Sequence, residues 1–447
     1  MCGITAVFSK NDNIFNEAYE SLYHLQHRGQ DSFGFSYLDN EKQIKIYKKT
    51  GLLANNYVNI ESNIVMGHVR YPTQGSNNIN ESQPFYIEGK IHTFSLIHNG
   101  QIDVEMIKQK LDINFESCSD TKYLLHYISH LFDTYVILND ENILTIVSEI
   151  QKLNGSFNCI CLIKNFGLLC FKDKYSIRPL ILGKKNDNYI LSSESISITS
   201  IDYDIVRDIY SNDIMIFDKM SKFKILKNQN KHLMPCIFEW IYLAREESII
   251  YGVNVYQVRK MLGETLAHQI MDKVDLTSID MIIPVPDTSK PVALEMSKVL
   301  NKPYSEAITK NRYVNRTFIM DSQKKRKKNI KRKLNIIEHL VRNKNIIIVD
   351  DSIVRGNTIK HIVNLLKDHG VNDIYVAISC PRIVNKNNFG IDIPDKKSLL
   401  CHKKTNREIE KDLGIKKIFF QNIIDLENTI HSLNNTIYSF ENSIFMD

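Results

Sequence analysis

The sequence contains no apolar run of the roughly 18 residues that a helix needs to cross a bilayer. The stretch from Met1 to Thr5 also lacks the basic region and apolar core of a signal peptide. We therefore expect a soluble, intracellular protein, which we place in the cytoplasm and to which we assign no membrane partner.

Cysteine is too sparse for a disulfide-stabilised fold. The chain has eight cysteines in 447 residues and no Cys-x-x-Cys pair, whereas disulfide frameworks are dense and occur in small secreted domains. We expect buried structural thiols everywhere except at Cys2. The other seven are Cys118, Cys159, Cys161, Cys170, Cys236, Cys380 and Cys401.

A chain of 447 residues predicts two or three domains. In the first half, short β-type segments alternate with helical patterns, which is typical of antiparallel sheets covered by helices. The strands are expected at residues 3–9, 44–47, 64–69, 94–98, 157–164 and 189–193, and the helices at 16–25, 104–111 and 120–132.

In the second half, apolar strands alternate with helices, which predicts a parallel α/β sheet. The expected elements are a helix at 253–271, a strand at 280–285, a helix at 290–300, a strand at 345–349, a helix at 357–368 and a strand at 373–378. We divide the chain into residues 2–225, residues 226–404 and a tail, 405–447, that we expect to be helical and to pack on the second domain.

Cys2 becomes the N-terminal residue if Met1 is removed, and its thiol then lies beside a free α-amine. The reference pKa of an α-amine is about 7.7–8.0, so it can accept the thiol proton at physiological pH. This is the N-terminal form of a nucleophile and base pair. By itself, a cysteine at position 2 is weak support, because it also occurs by chance.

Polar motifs at predicted strand and helix ends accompany Cys2. An arginine, Arg70, ends one strand, His98-Asn99-Gly100 ends another, and Asp120 opens a helix. A further polar segment, residues 27–34, follows an amphipathic helix. Each could be ordinary turn chemistry, but together they provide the groups that an amide hydrolase needs.

The second half contains an apolar strand followed by Asp350-Asp351-Ser352 and then by Gly356 at the start of a helix. A strand, a glycine- and hydroxyl-containing loop and a helix N-terminus form an anion cradle. The paired carboxylates could bind ribose hydroxyls and Mg²⁺. The alternative is a solvated turn, which the Gly-Asn-Thr context disfavours.

With these motifs the chain resembles the glutamine phosphoribosylpyrophosphate amidotransferases over nearly its whole length. The resemblance implies an N-terminal-nucleophile (Ntn) hydrolase αββα sandwich followed by a type I phosphoribosyltransferase parallel-sheet domain, an α+β and α/β combination. It implies that ammonia released from glutamine attacks C1 of 5-phosphoribosyl 1-pyrophosphate (PRPP). The products are 5-phosphoribosylamine, pyrophosphate and glutamate, in the first step of purine synthesis.

The resemblance also assigns roles in the glutaminase site. Cys2 is the nucleophile, and Asn99 and Gly100 form the oxyanion hole. Arg70 binds the glutamine α-carboxylate and Asp120 its α-amino group. The residues expected to shape the pocket are Arg28 and Asp31.

For the phosphoribosyl site, the resemblance implies one Mg²⁺ per subunit, held near Thr288, Asp350 and Asp351. Asn357 stands where the family usually has a hydroxyl residue, so we expect a retuned contact there. The residues implied to bind PRPP are Asp350, Asp351, Ser352, Ile353, Val354, Arg355, Gly356, Asn357, Thr358 and Lys310.

The chain is basic at residues 324–328 and 331–333, which contribute to its net charge of +6. A solvated loop or a nucleic-acid patch would explain these charges. Within the family fold we prefer a lid that closes over PRPP, and we expect no nucleic-acid partner. The family's distinctive stretch at 310–319 normally carries Gly where Asn315 stands.

The resemblance further implies a homotetramer inhibited by purine nucleotides, with Lys310 and Arg312 as candidate phosphate contacts. Some relatives hold an iron–sulfur cluster on four cysteines. Cys236 stands where many members have cysteine, but Asn388 occupies another expected position and residues 402–447 contain no cysteine. We therefore expect no cluster.

Two other functions remain alternatives on sequence grounds. One is the same glutaminase with a sugar phosphate or aspartate as the ammonia acceptor, which the cradle at residues 350–358 disfavours. The other is a non-enzymatic regulator that senses PRPP and binds nucleic acid through residues 324–333. Such a regulator would have no use for Cys2, Arg70 and Asn99.

Overall fold

The computed structural model describes residues 2–446 except 11, 55, 72–77, 116–118, 219–222, 229–231, 312–333 and 394. The first half of the chain folds into two antiparallel sheets. In spatial order, the seven-stranded sheet consists of Asp204–Asp208, Ile181–Lys185, Asn188–Ser192, Gly3–Phe8, Ile64–Arg70, Ser32–Leu38 and Ile44–Thr50. The six-stranded sheet consists of Phe223–Lys227, Asp213–Asp218, Gly167–Lys172, Gly155–Ile163, Thr93–Ile102 and Phe85–Glu88.

The two sheets pack face to face, and helices cover their outer faces. Ile4 and Met66 of the seven-stranded sheet share a buried cluster with Ile97 and Ile160 of the six-stranded sheet. The helix over the seven-stranded sheet is Phe15–His24, and those over the six-stranded sheet are Glu105–Leu111, Asp120–Phe132 and Asp140–Ile150. These four layers confirm the predicted sandwich.

The second half contains a four-stranded parallel sheet whose strands are almost entirely apolar, as expected for a sheet buried on both faces. Its spatial order is Met281–Pro284, Ile346–Asp350, Ile374–Ile378 and Lys417–Phe420. One face is covered by Val255–Met271 and Lys290–Val299, and the other by Asn357–Asp368 and Asn406–Leu413. The predicted parallel α/β domain is confirmed.

Short elements complete the chain. Two-residue strands Ile249–Ile250 and Val253–Asn254 pair, as do Ile308–Lys310 and Leu334–Ile336. The remaining helices and turns are Gln26–Arg28, Ile79–Glu81, Ile196–Thr199, Glu239–Leu243, Leu276–Ser278, Glu338–Val341, Lys396–Ser398, Ile423–Leu433 and Ser443–Phe445. Within the described residues, none of the helices combines the length and apolarity that crossing a membrane requires.

Two expected boundaries differ from the structure. Strand Phe223–Lys227 pairs with Asp213–Asp218, so the first sandwich extends past residue 225. The tail is not purely helical, because Lys417–Phe420 forms the edge strand of the parallel sheet. Four residues between two helical patterns are too few to show a strand period in the sequence, and only pairing with Ile374–Ile378 identifies this strand.

Candidate functional site

Cys2 lies at the end of the strand that begins at Gly3, and its side chain is partly exposed. Gly3 pairs with Val69 in the antiparallel ladder, so the same register places Cys2 opposite Arg70, one residue further along. Cys2 Sγ is 3.8 Å from the carbonyl oxygen of Tyr71, a weak thiol hydrogen bond. Strand register thus brings the predicted nucleophile beside the arginine predicted to bind carboxylate.

Arg70 is buried, and its Nη1 donates to Asp31 Oδ2 at 3.2 Å. Burial raises the pKa of Asp31, and the Arg70 charge opposes that shift. Gly29 makes this arrangement sterically possible, because a Cβ there would lie 2.6 Å from the Arg70 backbone. The structure therefore brings Arg70 and Asp31 together, as expected if both belong to the glutamine pocket.

Asn99 and Gly100 occupy the end of strand Thr93–Ile102. Because side chains alternate along a strand, Asn99 faces the space between the sheets, as Ile97 does. Asn99 is fully buried, and neither polar atom of its amide has a hydrogen-bond partner among the described residues. A buried amide left without partners is destabilising, so a ligand that pairs with it fits the site.

Gly100 has a φ of +153°, and a Cβ at this position would lie 1.9 Å from the carbonyl oxygen of Ser156. Only glycine fits this approach. Because glycine has no side chain, nothing on this residue can cover its backbone N–H. A backbone oxyanion donor needs such an uncovered N–H.

Asp120 begins helix Asp120–Phe132, and its carboxylate accepts from the backbone N–H groups of Ile102 and Thr121, both at 2.9 Å. Gln83 supports this corner: its Oε1 accepts from His98 N at 2.6 Å and its Nε2 donates to Thr121 Oγ1 at 3.1 Å. No local motif in the sequence marks Gln83, because its partners lie 15 and 38 residues away.

Arg28 makes contacts that differ from the expectation for a pocket residue. Its buried guanidinium pairs with Glu194, and its Nη2 lies 2.8 Å from Glu239 Oε2. Arg178 Nη1 approaches Glu239 Oε1 at 3.4 Å. Burial opposes ionisation of Glu194, but the Arg28 and His27 charges outweigh it and lower the pKa of Glu194. The network ties the sandwich to the helical turn Glu239–Leu243, and no local sequence motif marks such a long-range contact.

The carboxylates of the second site lie at the carboxyl end of strand Ile346–Asp350. Burial and the neighbouring Asp351 charge raise the pKa of Asp350 well above its usual range. Asp350 Oδ1 accepts from Asp351 N at 3.0 Å, and Ser352 Oγ donates to Asp351 Oδ1 at 2.6 Å. A buried carboxyl beside a second carboxylate favours a cation or hydroxyl donors as ligands.

Gly356, with a φ of +78°, precedes helix Asn357–Asp368. A Cβ on Gly356 would lie 2.8 Å from Leu400 Cδ2, so glycine lets the loop turn tightly into the helix. The first N–H groups of this helix are available to an anion. All the residues predicted to bind PRPP line one cavity of about 1020 Å³, as does Thr288. From the first half, Arg28 and Tyr71 line the same cavity.

Thr288 and Asp287 face this cavity, and Lys310 Nζ forms an ion pair with Asp287 Oδ2 at 2.7 Å. Among the described residues, no group of three or more His, Cys, Asp or Glu side chains could hold a metal ion without other ligands. Mg²⁺ commonly uses one or two carboxylates together with substrate phosphates and water. Asp350 and Asp351 fit that requirement. The lid expected from Arg312 to Lys333, with Asn315, lies outside the described residues.

Two family models match the chain: a glutamine amidotransferase domain over residues 69–200 and a phosphoribosyl transferase domain over residues 254–416. The chain is 36% identical to the amidophosphoribosyltransferase of Pasteurella multocida, covering 96% of this chain and 89% of that protein. It is 34% identical to the Escherichia coli amidophosphoribosyltransferase, covering 97% and 89%. For the Saccharomyces cerevisiae amidophosphoribosyltransferase the identity is 33%, covering 95% and 88%.

Two solved structures are similar along nearly the whole chain. One is the B. subtilis glutamine PRPP amidotransferase complexed with ADP and GMP, with a TM-score of 0.83 and 28% identity over 96% of this chain and 92% of that one. The other is described as the allosteric regulatory enzyme of purine biosynthesis, with a TM-score of 0.84 and 28% identity over 96% and 91%.

Proposed function

Because the chain belongs to the amidophosphoribosyltransferase family, we propose a specific assignment of its residues to the two half-reactions of that enzyme. The chain hydrolyses glutamine and transfers the ammonia to C1 of PRPP, the first step of purine biosynthesis. The glutaminase residues lie in the sandwich, and the PRPP residues lie at the carboxyl ends of the parallel strands.

In the glutaminase half, the Cys2 thiol attacks the side-chain amide carbonyl of glutamine and transfers its proton to the free α-amine. The carbonyl oxygen becomes negative and accepts hydrogen bonds from the Asn99 amide and the Gly100 N–H. The C–N bond then breaks, ammonia leaves with the proton from the α-amine, and water hydrolyses the thioester to glutamate. The observation that carries this assignment is the buried Asn99 amide, for which the described part of the chain offers no hydrogen-bond partner.

Glutamine is held by charge at its α-carbon end. Arg70 binds the α-carboxylate, and Asp31 keeps the guanidinium oriented. Asp120 accepts from the α-amino group while its backbone contacts fix its carboxylate. Arg28 shapes the pocket indirectly, through its ion pairs with Glu194 and Glu239.

In the phosphoribosyl half, Asp350 and Asp351 bind the ribose hydroxyls, and the loop that follows them wraps the 5′-phosphate. One Mg²⁺ per subunit, held near Asp350, Asp351 and Thr288, would neutralise charge on the departing pyrophosphate. Lys310, which lines the same cavity, offers a further cation. Since pyrophosphate is already a good leaving group, catalysis here consists mainly of positioning and charge stabilisation.

Ammonia passes between the sites without entering bulk solvent. The cavity lined by Asp351 and Gly356 is also lined by Tyr71, whose carbonyl accepts from Cys2. This continuity supports an internal route, which would protect the small neutral nucleophile from protonation in water.

We further propose a cytoplasmic homotetramer, without an iron–sulfur cluster, that purine nucleotides inhibit. The similarity to a relative complexed with ADP and GMP supports the inhibitor class, and Lys310 and Arg312 are candidate phosphate contacts.

The Asn99→Ala variant tests the central assignment. We expect kcat for glutamine hydrolysis to fall by about 10²–10³, because one oxyanion donor is lost. Synthesis of 5-phosphoribosylamine from PRPP and added ammonia should stay within about twofold of the wild type, since it bypasses this site. Unchanged glutamine hydrolysis would overturn the oxyanion role of Asn99.

A further inference from the structure

The oxyanion strand, Thr93–Ile102, continues past the end of its partner on one edge of the sheet. That partner is Phe85–Glu88, and the last pair of their ladder places Phe85 opposite Leu96. Continued by two residues, the same register would place Gln83 opposite His98. His98 is buried, so its backbone N–H and carbonyl need hydrogen-bond partners at this point.

The side chain of Gln83 supplies both partners. Its Oε1 accepts from His98 N at 2.6 Å, and its Nε2 donates to the carbonyl oxygen of His98 at 3.1 Å. An amide side chain carries both a donor and an acceptor, so it can pair with one residue of a strand as a backbone would. Gln83 thus extends the edge of the sheet to the residue directly before Asn99.

A third hydrogen bond joins Gln83 to the start of helix Asp120–Phe132. The Nε2 group also donates to Thr121 Oγ1 at 3.1 Å, and the same hydroxyl lies 3.0 Å from His98 Nδ1. Gln83, His98 and Thr121 are all buried. Loss of the Gln83 amide would therefore leave buried polar groups unpaired, which is more costly than losing an exposed hydrogen bond.

The two proposed oxyanion donors lie between two points at which their strand is joined to this helix. Before them, His98 is joined to the start of the helix through Gln83. After them, Ile102 N donates to the Asp120 carboxylate at 2.9 Å. The two attachments together fix where the oxyanion donors lie relative to the carboxylate that is proposed to bind the α-amino group of glutamine.

We propose that Gln83 is a positioning residue for glutamine hydrolysis, which holds the oxyanion strand against the helix that carries Asp120. This role rests on the proposed function, because it requires that Asn99 and Gly100 stabilise the oxyanion. Such donors must lie about 2.7–3.1 Å from the developing charge, and a misplacement of about 1 Å can cost about a hundredfold in rate. Gln83 acts on the reaction through the backbone of His98.

Two substitutions of Gln83 in the full-length enzyme test this role. Gln83→Met keeps an unbranched side chain of similar length but removes the three hydrogen bonds of the amide. Gln83→Glu keeps the acceptor for His98 N, and only the neutral form of the introduced carboxyl has a hydroxyl that can replace the Nε2 donor. Glutamine hydrolysis at saturating PRPP, 5-phosphoribosylamine synthesis with added ammonia and thermal melting are measured for each variant.

Gln151→Met is the matched control in the same sandwich. The Gln151 amide donates to the carbonyl oxygens of Lys172 at 2.9 Å and Ser211 at 2.7 Å, and it accepts from Asn228 Nδ2 at 3.0 Å. These bonds match those of Gln83 in number and kind, but they involve neither the oxyanion strand nor helix Asp120–Phe132. Glutamine hydrolysis by this variant should stay within about twofold of the wild type.

In Gln83→Met we expect kcat for glutamine hydrolysis to fall by about tenfold to a hundredfold, because the oxyanion donors remain but are misplaced. KM for glutamine should change by less than about threefold, and ammonia-dependent synthesis should stay within about twofold of the wild type. The decrease should be smaller than that of Asn99→Ala, which removes a donor outright.

The pH profile of Gln83→Glu is a readout that a merely structural role would not change. Burial favours the neutral form of the introduced carboxyl, which can donate, whereas the ionised form only accepts. The ratio of its kcat to that of the wild type at the same pH should rise by at least about threefold between about pH 8 and pH 6. The same ratio for Gln83→Met should not depend on pH.

A kcat for Gln83→Met within about twofold of the wild type would overturn the positioning role, as would an equal decrease in Gln151→Met. A pH-independent ratio for Gln83→Glu would also overturn it. If Gln83→Met shows no thermal transition and therefore does not fold, the pH profile of Gln83→Glu decides the question. Full glutaminase activity in Asn99→Ala contradicts the proposed oxyanion site itself, whereas a slow Asn99→Ala beside an unaffected Gln83→Met contradicts only the role of Gln83.

Discussion

The two halves of the molecule build their sites in opposite ways. In the sandwich, antiparallel register places Cys2 opposite Arg70, and the Arg70 guanidinium is already paired with Asp31. Asn99 is a buried, uncharged amide in the facing sheet. In the parallel domain, burial and the adjacent Asp351 charge raise the pKa of Asp350 at the carboxyl end of its strand. We therefore expect the first site to be arranged before substrate binds and the second to be completed by its ligands.

The Cys2→Ala substitution should give the largest difference between glutamine-dependent and ammonia-dependent synthesis. Glutamine-dependent synthesis should fall by at least about three orders of magnitude, because no other group can form the thioester. Ammonia-dependent synthesis should be retained, since the PRPP cavity is unchanged. Parallel assays with glutamine and with ammonium salt measure both rates, and loss of both activities in a folded variant would contradict the separation of sites.

Asp351→Asn should slow the glutamine-dependent and the ammonia-dependent reactions equally. We expect kcat/KM for PRPP to fall by about tenfold to a hundredfold with glutamine or ammonia, the effect of losing a hydrogen bond to a charged group. PRPP-independent glutaminase activity should not change. Initial rates at varied PRPP check this, and a loss confined to the glutamine reaction would place Asp351 outside the phosphoribosyl site.

Arg70→Lys tests whether geometry or charge alone binds glutamine. Lysine keeps the charge but loses the planar fork that can pair with a carboxylate at two points. We expect KM for glutamine to rise by about fivefold to tenfold, with little change in kcat. Saturation curves for glutamine hydrolysis provide the measurement. A lowered kcat at unchanged KM would instead assign Arg70 to the reacting amide.

The two halves also differ in how much of each could be predicted from the sequence. The strand, loop and helix around Asp350 and Gly356 are contiguous, so a local motif identified the fold and the cradle together. In the sandwich, Asn99 and Arg70 were suggested by motifs, but Gln83 and Glu194 were not, because their partners are distant in the chain. The edge strand Lys417–Phe420 was missed because only its neighbour defines it.

The buried carboxyl group of Asp350 leads to a final, smaller prediction about stability. Because its pKa is raised in the folded state, the folded protein binds more protons than the unfolded chain between the ordinary aspartate pKa, about 3.9, and the raised value. In this window stability falls as pH rises, because burial disfavours the ionised form of Asp350 in the folded protein. Asp350→Asn should therefore raise the melting temperature at pH 7, by about 2–4 °C per kcal/mol of destabilisation removed.

The pH dependence of the gain in melting temperature distinguishes the two halves. The increase for Asp350→Asn should shrink as pH falls toward about 4, where the wild-type carboxyl is also neutral. Asn99→Ala changes a group that is also buried but does not titrate, so its effect on the melting temperature should not depend on pH. Thermal scans from about the ordinary aspartate pKa of 3.9 up to neutral pH compare the variants without ligand. A pH-independent gain for Asp350→Asn would mean that the carboxylate is compensated in the free enzyme, and both sites would then be arranged before substrate binds.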